Sequence, residues 1–426
     1  MENPETQKPT PFFQTTIAKM ILIGILTLFL LIPLSYVKDL ILERSQRQAE
    51  VILETSNKWG QTVDFYGPIL RIPYNDPNSK KENFAYFFPE VLNNATKTTM
   101  AEPLQRSIYK SNVFITSMAF DGNYTTPNFE SKNISDENIY WNRASIIIKT
   151  SNLQSLKNEV KIKFGNTNLT FEPQQNENNE FLETEFFDYN LIKKNPNFKL
   201  NFTCNGSKQI KIVPIGKTTT AKMVSNWNSP SFNGNYIPNS KTISDEGFTA
   251  NWKILHFNRT FAQQHFEVLP DLNKYSFSVD FITPVDDYQQ NERASKYGFL
   301  VIGLTFLIFF LIQSISKINI HIFQYSMIGL ALIMFYTLLI SITEHSSFSF
   351  AYAIAGSSVV ALISLYSISI LKNKKFPVFI GASLTTLYLF IFVIIQLEDY
   401  ALLVGSIGLF FILSAVMYFS RKVDWK

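Results

Sequence analysis

Six stretches of this chain each run for about the length of a bilayer's hydrocarbon core without an Asp, Glu, Lys, Arg or His. They are residues 20–37, 297–315, 322–342, 350–371, 376–395 and 400–419. A helix rises about 1.5 Å per residue, so roughly 20 apolar residues cross a core about 30 Å thick. The pattern predicts six transmembrane helices. The first run follows Lys19 as a signal peptide would, but it ends in Pro33-Leu34-Ser35-Tyr36-Val37-Lys38 with no small-x-small cleavage pattern. It reads as an uncleaved anchor.

Orientation follows from where the short flanks carry Lys and Arg. Lys8 and Lys19 precede the first span and Lys317 follows the second. Lys372, Lys374 and Lys375 follow the fourth, and Arg421, Lys422 and Lys426 follow the sixth. The alternate loops, 343–349 and 396–399, carry Glu344, Glu398 and Asp399 but no Lys or Arg. Both termini are therefore expected on the cytoplasmic side, with residues 38–296 outside, in the periplasm if the cell has one. The expected organisation is a cytoplasmic N-terminus (1–19), the first span (20–37), a periplasmic region (38–296), a five-helix bundle (297–419) and a cytoplasmic tail (420–426).

The region between the first two spans has a different texture. Residues 38–59 alternate apolar Leu40, Ile41, Ala49, Ile52 and Leu53 with Glu43, Arg44, Arg47 and Glu50, which suits an amphipathic helix continuing the first span. The period then shortens to two. Val160, Ile162 and Phe164 alternate with Lys161 and Lys163; Phe277, Val279 and Phe281 alternate with Ser278 and Asp280; residues 113–118 do the same. Turns are expected at Asp121-Gly122-Asn123, Gly165-Asn166 and 232–235, and an exposed loop at 174–179. The fold class is α+β: six transmembrane helices plus a large antiparallel, β-rich, sandwich-like periplasmic domain. The one cysteine, Cys204, has no partner for an internal disulfide, so this domain relies on its core.

The net charge of +4 is spread along the chain and leaves no clustered basic footprint, so no nucleic-acid partner is expected. HExxH, CxxC, G-x-S-x-G and G-x-G-x-x-G are missing. Gly216-Lys217-Thr218 resembles the end of a phosphate loop, but Lys211 stands where its first glycine belongs, so a strand-end turn is expected. His256, His265, His321 and His345 are scattered, and each is expected to be structural. The chain is expected not to be an enzyme and to carry no cofactor or metal.

One polar grouping stands out at the expected outer membrane surface. Glu344 and His345 follow the third span, Glu398 and Asp399 precede the sixth, and Asp286, Asp287, Glu292 and Arg293 precede the second. Two readings stand. The cluster could bind a cation, relay a proton or hold a lipid head group. The other reading is that it caps helix ends and pairs with Arg293 or Lys296 to seat the outer domain. Within the fourth span Ala353, Ser357 and Ala361 recur every four residues beside Gly356, which predicts a close-packing seam.

Several motifs together resemble the CreD family of cell-envelope integrity proteins. They begin with Trp59-Gly60-Gln61, Gly67-Pro68-Ile69-Leu70-Arg71-Ile72-Pro73-Tyr74 and Arg106-Ser107-Ile108-Tyr109, where Ser107 stands in place of the family's usual glycine. Trp227-Asn228-Ser229-Pro230 and Gly247-Phe248-Thr249-Ala250-Asn251-Trp252 follow in order. Arg293-Ala294-Ser295-Lys296-Tyr297-Gly298, His321-Ile322-Phe323-Gln324-Tyr325, Glu344-His345, Glu398-Asp399-Tyr400 and Val423-Asp424-Trp425 complete the series. The resemblance implies an inner-membrane protein tied to envelope integrity and, in some bacteria, to colicin tolerance and β-lactam stress responses. It brings no known reaction and no known ligand. The expected partners are membrane lipids and another envelope protein met through the β-domain; the alternative is a transporter or lipid-handling protein using the Glu344, His345, Glu398, Asp399 and Arg293 cluster.

Overall fold

The computed structural model describes residues 16–76, 81–150, 153–176, 179–281, 287–316, 318–371, 375–397, 400–421 and 423. The chain divides into two compact units, Met1–Ala49 with Val285–Lys426, and Glu50–Pro284.

Helix α1 (Thr16–Trp59) runs unbroken through the first apolar run and the amphipathic stretch after it. The strands of the second unit begin with β1 (Thr62–Asn75), β2 (Glu82–Phe87), β3 (Val91–Met100), β4 (Leu104–Arg106), β5 (Tyr109–Ser111) and β6 (Phe114–Asn123). They continue with β7 (Ser145–Lys149), β8 (Lys161–Phe164), β9 (Thr167–Asn176) and β10 (Asn179–Thr184), then a short helix α2 (Asn190–Lys193). Next come β11 (Asn197–Gly206), β12 (Gln209–Ile212), β13 (Thr218–Ser225) and β14 (Pro230–Gly234). The last are β15 (Ser240–Ser244), β16 (Gly247–Leu255), β17 (Gln264–Phe266) and β18 (Phe277–Phe281).

Apart from the β4–β5 hairpin, the described strands form one continuous path, β14-β18-β12-β1-β7-β10-β9-β8-β11-β6-β3-β13-β16-β15, with β2 and β17 branching from β1. The path doubles back on itself: Phe65 of β1 stacks on Phe120 of β6 at 3.9 Å and on Phe202 of β11 at 5.5 Å. Burying each such ring contributes about 1.5–3 kcal/mol. Pairing is mostly antiparallel, as expected, but β1–β12 and β3–β13 are parallel. Strand β1 can serve two sets of neighbours because its register shifts between Tyr66 and Ile69, where Pro68 has no N–H to give.

The expected alternation is clear in β8, where Ile162 and Phe164 are buried and Lys161 and Lys163 exposed. The turn expected at Asp121-Gly122-Asn123 is instead the end of β6, paired on both sides, with Gly122 opposite Leu92 and Phe198. Gly122 is there for closeness: a Cβ would fall on the Val91 carbonyl and within 2.9 Å of the Phe198 ring. The loop expected at 174–179 is largely strand, since β9 extends to Asn176 and β10 starts at Asn179; residues 177–178 lie outside the described residues. The turn at Gly165 has a positive φ of 55° as its glycine allows. Gly216-Lys217 forms the strand-end turn before β13, with Lys217 paired to Glu90 at 2.7 Å.

The first unit contains α1's apolar half and α3 (Asp287–Lys296), α4 (Gly298–Ser316), α5 (Ile322–Thr343), α6 (Phe348–Ile370), α7 (Lys375–Gln396) and α8 (Ala401–Ser420). Among the described residues, six helices are long and apolar enough to cross a membrane: α1 and α4 to α8. Leu34 packs where a Cβ on Gly298 would come within 2.8 Å, and Leu30 fills the space Gly329 leaves, so α1 closes against α4 and α5. The seam expected on α6 lies elsewhere. Ala353, Ser357 and Ala361 are exposed, while Ala351, Ala355, Gly356, Val359 and Ile363 form the buried face. Spacing of four marked a uniform face without fixing which face meets a neighbour.

Candidate functional site

Helix α3 is too polar to span lipid, and its side chains serve the ends of its neighbours. A helix start leaves N–H groups without intrahelical partners, and a helix end leaves carbonyls. The Asp287 carboxylate accepts from the Phe348 N–H at 2.9 Å, capping α6 from outside its own sequence. Arg293 Nη1 donates to the Ile395 carbonyl at 3.5 Å, at the end of α7. Each contact also matches the helix dipole, an anion at a start and a cation at an end. Asn291 is fully buried between them; its Nδ2 donates to the Asp287 carbonyl at 2.9 Å. Its Oδ1 accepts from Thr343 at 3.5 Å, the weaker of that hydroxyl's contacts, since Thr343 also reaches the Leu339 carbonyl at 2.6 Å.

Of the five candidate residues, the described Arg293 and Glu344 each take a partner outside the set. Glu344 pairs with Arg44 of α1 at 3.5 Å, its side chain 20% exposed. Lys296 pairs with Glu292 within α3 at 2.9 Å, and Arg293 takes the α7 carbonyl, so neither is the partner of Glu344. His345 is exposed on the turn after α5. Glu398 and Asp399 lie outside the described residues. Among the described residues no group of three or more His, Cys, Asp or Glu side chains could hold a metal. Sequence reasoning missed Arg44 as a partner, although its place on the amphipathic continuation of the first span was the available signal.

The other histidines have local partners. His321 caps α5, its Nδ1 accepting from the Phe323 N–H at 3.2 Å while Gln324 Oε1 accepts from the His321 N–H at 2.9 Å, a reciprocal capping box. His265 lies 3.1 Å from the Ala262 carbonyl, and burial lowers its pKa. The His256 ring lies 3.8 Å from that of Phe257, tilted by 37°.

Inside the β unit Arg71, Glu183 and Arg259 are held by structural partners. Arg71 pairs with Glu183, donates to Ser145 at 3.2 Å and lies 4.4 Å from the Phe84 ring centre. Arg259 donates to the carbonyls of Phe261, Ile215 and Gly216, and burial lowers its pKa to about 10. Cys204 is buried, which pushes its thiol up to about 12. A depression of about 410 Å³ on this unit's sheet face has Lys97 as its ionisable side chain, with Ser117, Asn158, Asn201 and Thr203 around it. A larger groove of about 780 Å³ lies in the helical unit and includes Lys375 in its lining, at the end of α7 opposite Gln396 and Ser349.

The family model for inner membrane protein CreD matches residues 15–426. The chain belongs to the CreD family. It is 27% identical over 417 residues to the inner membrane protein CreD of Escherichia coli K12, covering 93% of this chain and 91% of that protein. A solved structure of a Legionella pneumophila protein, provisionally named a nutrient binding protein, overlaps 57% of this chain and 80% of its own at 9% identity and a TM-score of 0.27. That likeness is too slight to carry argument. As a CreD-family chain with six membrane-length helices among its described residues, this is a multi-pass inner-membrane protein.

Proposed function

We propose that this chain is a non-catalytic inner-membrane protein that supports envelope integrity under stress, including colicin tolerance. Its β unit stands on the periplasmic side and meets another envelope component through its surface. The observation that carries the reading is how the β unit uses its charges: Arg71, Glu183 and Arg259 are bound up in packing, and the depression on its sheet face offers Lys97 with amides and hydroxyls. Such a surface suits recognition better than proton transfer, for which convergent groups with opposed environments would be needed. The orientation rests on the basic flanks at Lys317, Lys372, Lys374, Lys375 and Arg421, set against acidic loops on the other side.

Two experiments test it. A reporter active only in the cytoplasm should work when fused after Lys375 and fail after Asn205; the reverse pattern overturns the orientation. Photo-crosslinkers placed at Lys97 and Asn201 in intact cells should capture one envelope protein reproducibly. Capture of lipid alone, or nothing above background, removes the proposed contact.

A further inference from the structure

We propose that the groove between α4, α7 and α8 is a binding site for an anionic glycerophospholipid, with an acyl chain along the groove and the phosphate beside Lys375. The walls come from three helices, with Leu307 and Leu311 of α4, Phe379 and Phe390 of α7, and Ile412 and Val416 of α8 among them. About 780 Å³ of space so lined cannot stay favourably empty, because its walls forgo dispersion contacts. Water is a poor occupant, since a buried water needs two to four polar partners and these walls offer few. Of the hydroxyls that line it, Thr386 already bonds the Ala382 carbonyl of its own helix at 2.9 Å. A bilayer supplies hydrocarbon instead.

Length and charge select the kind of hydrocarbon. The groove reaches from Lys375 to Phe390 on α7, from Ser316 back to Leu304 on α4 and from Phe419 back to Gly408 on α8. At 1.5 Å per residue these stretches are about 17–22 Å, which is short of the roughly 30 Å a partner helix would cover and close to one leaflet with its interface. Its inner end is where the Phe390 ring occupies the space that Gly408 leaves open. Its other end, cytoplasmic in the proposed orientation, has Lys375, the lining's charged side chain, exposed at the start of α7. An apolar slot one leaflet deep with a cation at its mouth matches a lipid with a phosphate and a net negative head.

The test uses the full chain reconstituted in nanodiscs of equal phosphatidylglycerol and phosphatidylethanolamine. After extraction in mild detergent, retained phospholipid is measured by native mass spectrometry. One lysine near a phosphate predicts about a fivefold excess of phosphatidylglycerol over phosphatidylethanolamine. Lys375→Gln should bring that ratio close to one with lipid still retained, and Ala382→Trp, which fills the groove, should abolish retention of both. A wild-type ratio equal to the supplied mixture overturns the proposal. So does undiminished retention in Ala382→Trp, which would mean lipid drawn to the basic loop alone, or a two-chain species that Ala382→Trp breaks. If Ala382→Trp does not fold, the wild-type ratio and Lys375→Gln decide between the same outcomes.

Discussion

The two units of this chain differ in where most of their serine and threonine hydroxyls bond. In the β unit, hydroxyls and amides bond across strands distant in sequence: Thr98 with Thr116 at 3.0 Å, Thr220 to Asn93 at 2.6 Å, Ser117 with Thr203 at 3.2 Å. In the helical unit serine and threonine hydroxyls commonly turn back on their own helix, Thr305 to the Val301 carbonyl at 2.6 Å and Ser367 to the Ile363 carbonyl at 2.7 Å, while tyrosines reach across, as Tyr352 does to the Tyr388 carbonyl at 2.9 Å. The difference follows from solvent. A strand presents alternate side chains to a neighbour, whereas a helix in lipid must satisfy polar groups locally or against another helix. Apolar exposure divides likewise: α8 has no buried residue, with Leu402 87% exposed, as befits a helix solvated by hydrocarbon.

At Gly122, Gly234 and Gly247 of the sheet a Cβ would meet backbone, at Gly298, Gly329 and Gly408 of the bundle it would meet side chains, and at some bundle positions nothing, so glycine should matter unequally. Gly122→Ala places a Cβ onto the Val91 carbonyl, which cannot move without parting β3 from β6. A loss of about 4 kcal/mol or more, seen as a β unit cleaved by protease at low temperature, is expected. Gly303 of α4 has nothing within 4 Å of a Cβ, so Gly303→Ala should leave folded yield unchanged. Equal behaviour of the two variants would break the contrast.

The next effect concerns charge inside the β unit. The Arg71 and Glu183 side chains are 13% and 11% exposed, so removing one leaves the other poorly solvated. Glu183→Leu alone should cost about 3 kcal/mol, while Arg71→Met with Glu183→Leu should recover most of that. Thermal unfolding of the full chain in detergent measures both. A double variant as weak as the single would show that the pair contributes more than its mutual neutralisation.

These residues also show what was legible in the sequence. Six spans could be counted because lipid length is a local property, and burial in β8 could be read because alternation is local. The parallel pairings β1–β12 and β3–β13 join segments more than a hundred residues apart, and nothing within either strand encodes its neighbour. Gly122 was misread because glycine marks both turns and close approaches, and only Val91 decides between them. At the candidate site the exposed His345 is on the turn after the third span, where it was expected, but the partner of Glu344 is Arg44, three hundred residues away.

Ser107 is a smaller test, where the local departure from the family pattern was visible beforehand. Its φ of 57° is left-handed, in the turn between β4 and β5, a conformation that costs a residue with a Cβ. Ser107→Gly should raise stability by about 0.5–1 kcal/mol, the gain limited by glycine's greater freedom when unfolded. A loss would mean that the hydroxyl, not the backbone, decides the site.

The smallest expected effect carries the most information about function. Arg44 is 44% exposed and 3.5 Å from Glu344, so the pair is worth about 0.5 kcal/mol or less. Glu344→Gln and Arg44→Gln should therefore both fold in normal yield and unfold at nearly the wild-type temperature. That near-silence separates the two readings of the outer polar cluster. If Glu344 only fastens α1 to the turn after α5, the two variants remove the same contact and must show the same mild envelope phenotype. If its carboxylate binds a cation or a head group, Glu344→Gln loses the phenotype at full yield while Arg44→Gln keeps it, because removing the cation frees the carboxylate. Identical phenotypes in colicin and detergent sensitivity would leave Glu344 as a fastening alone.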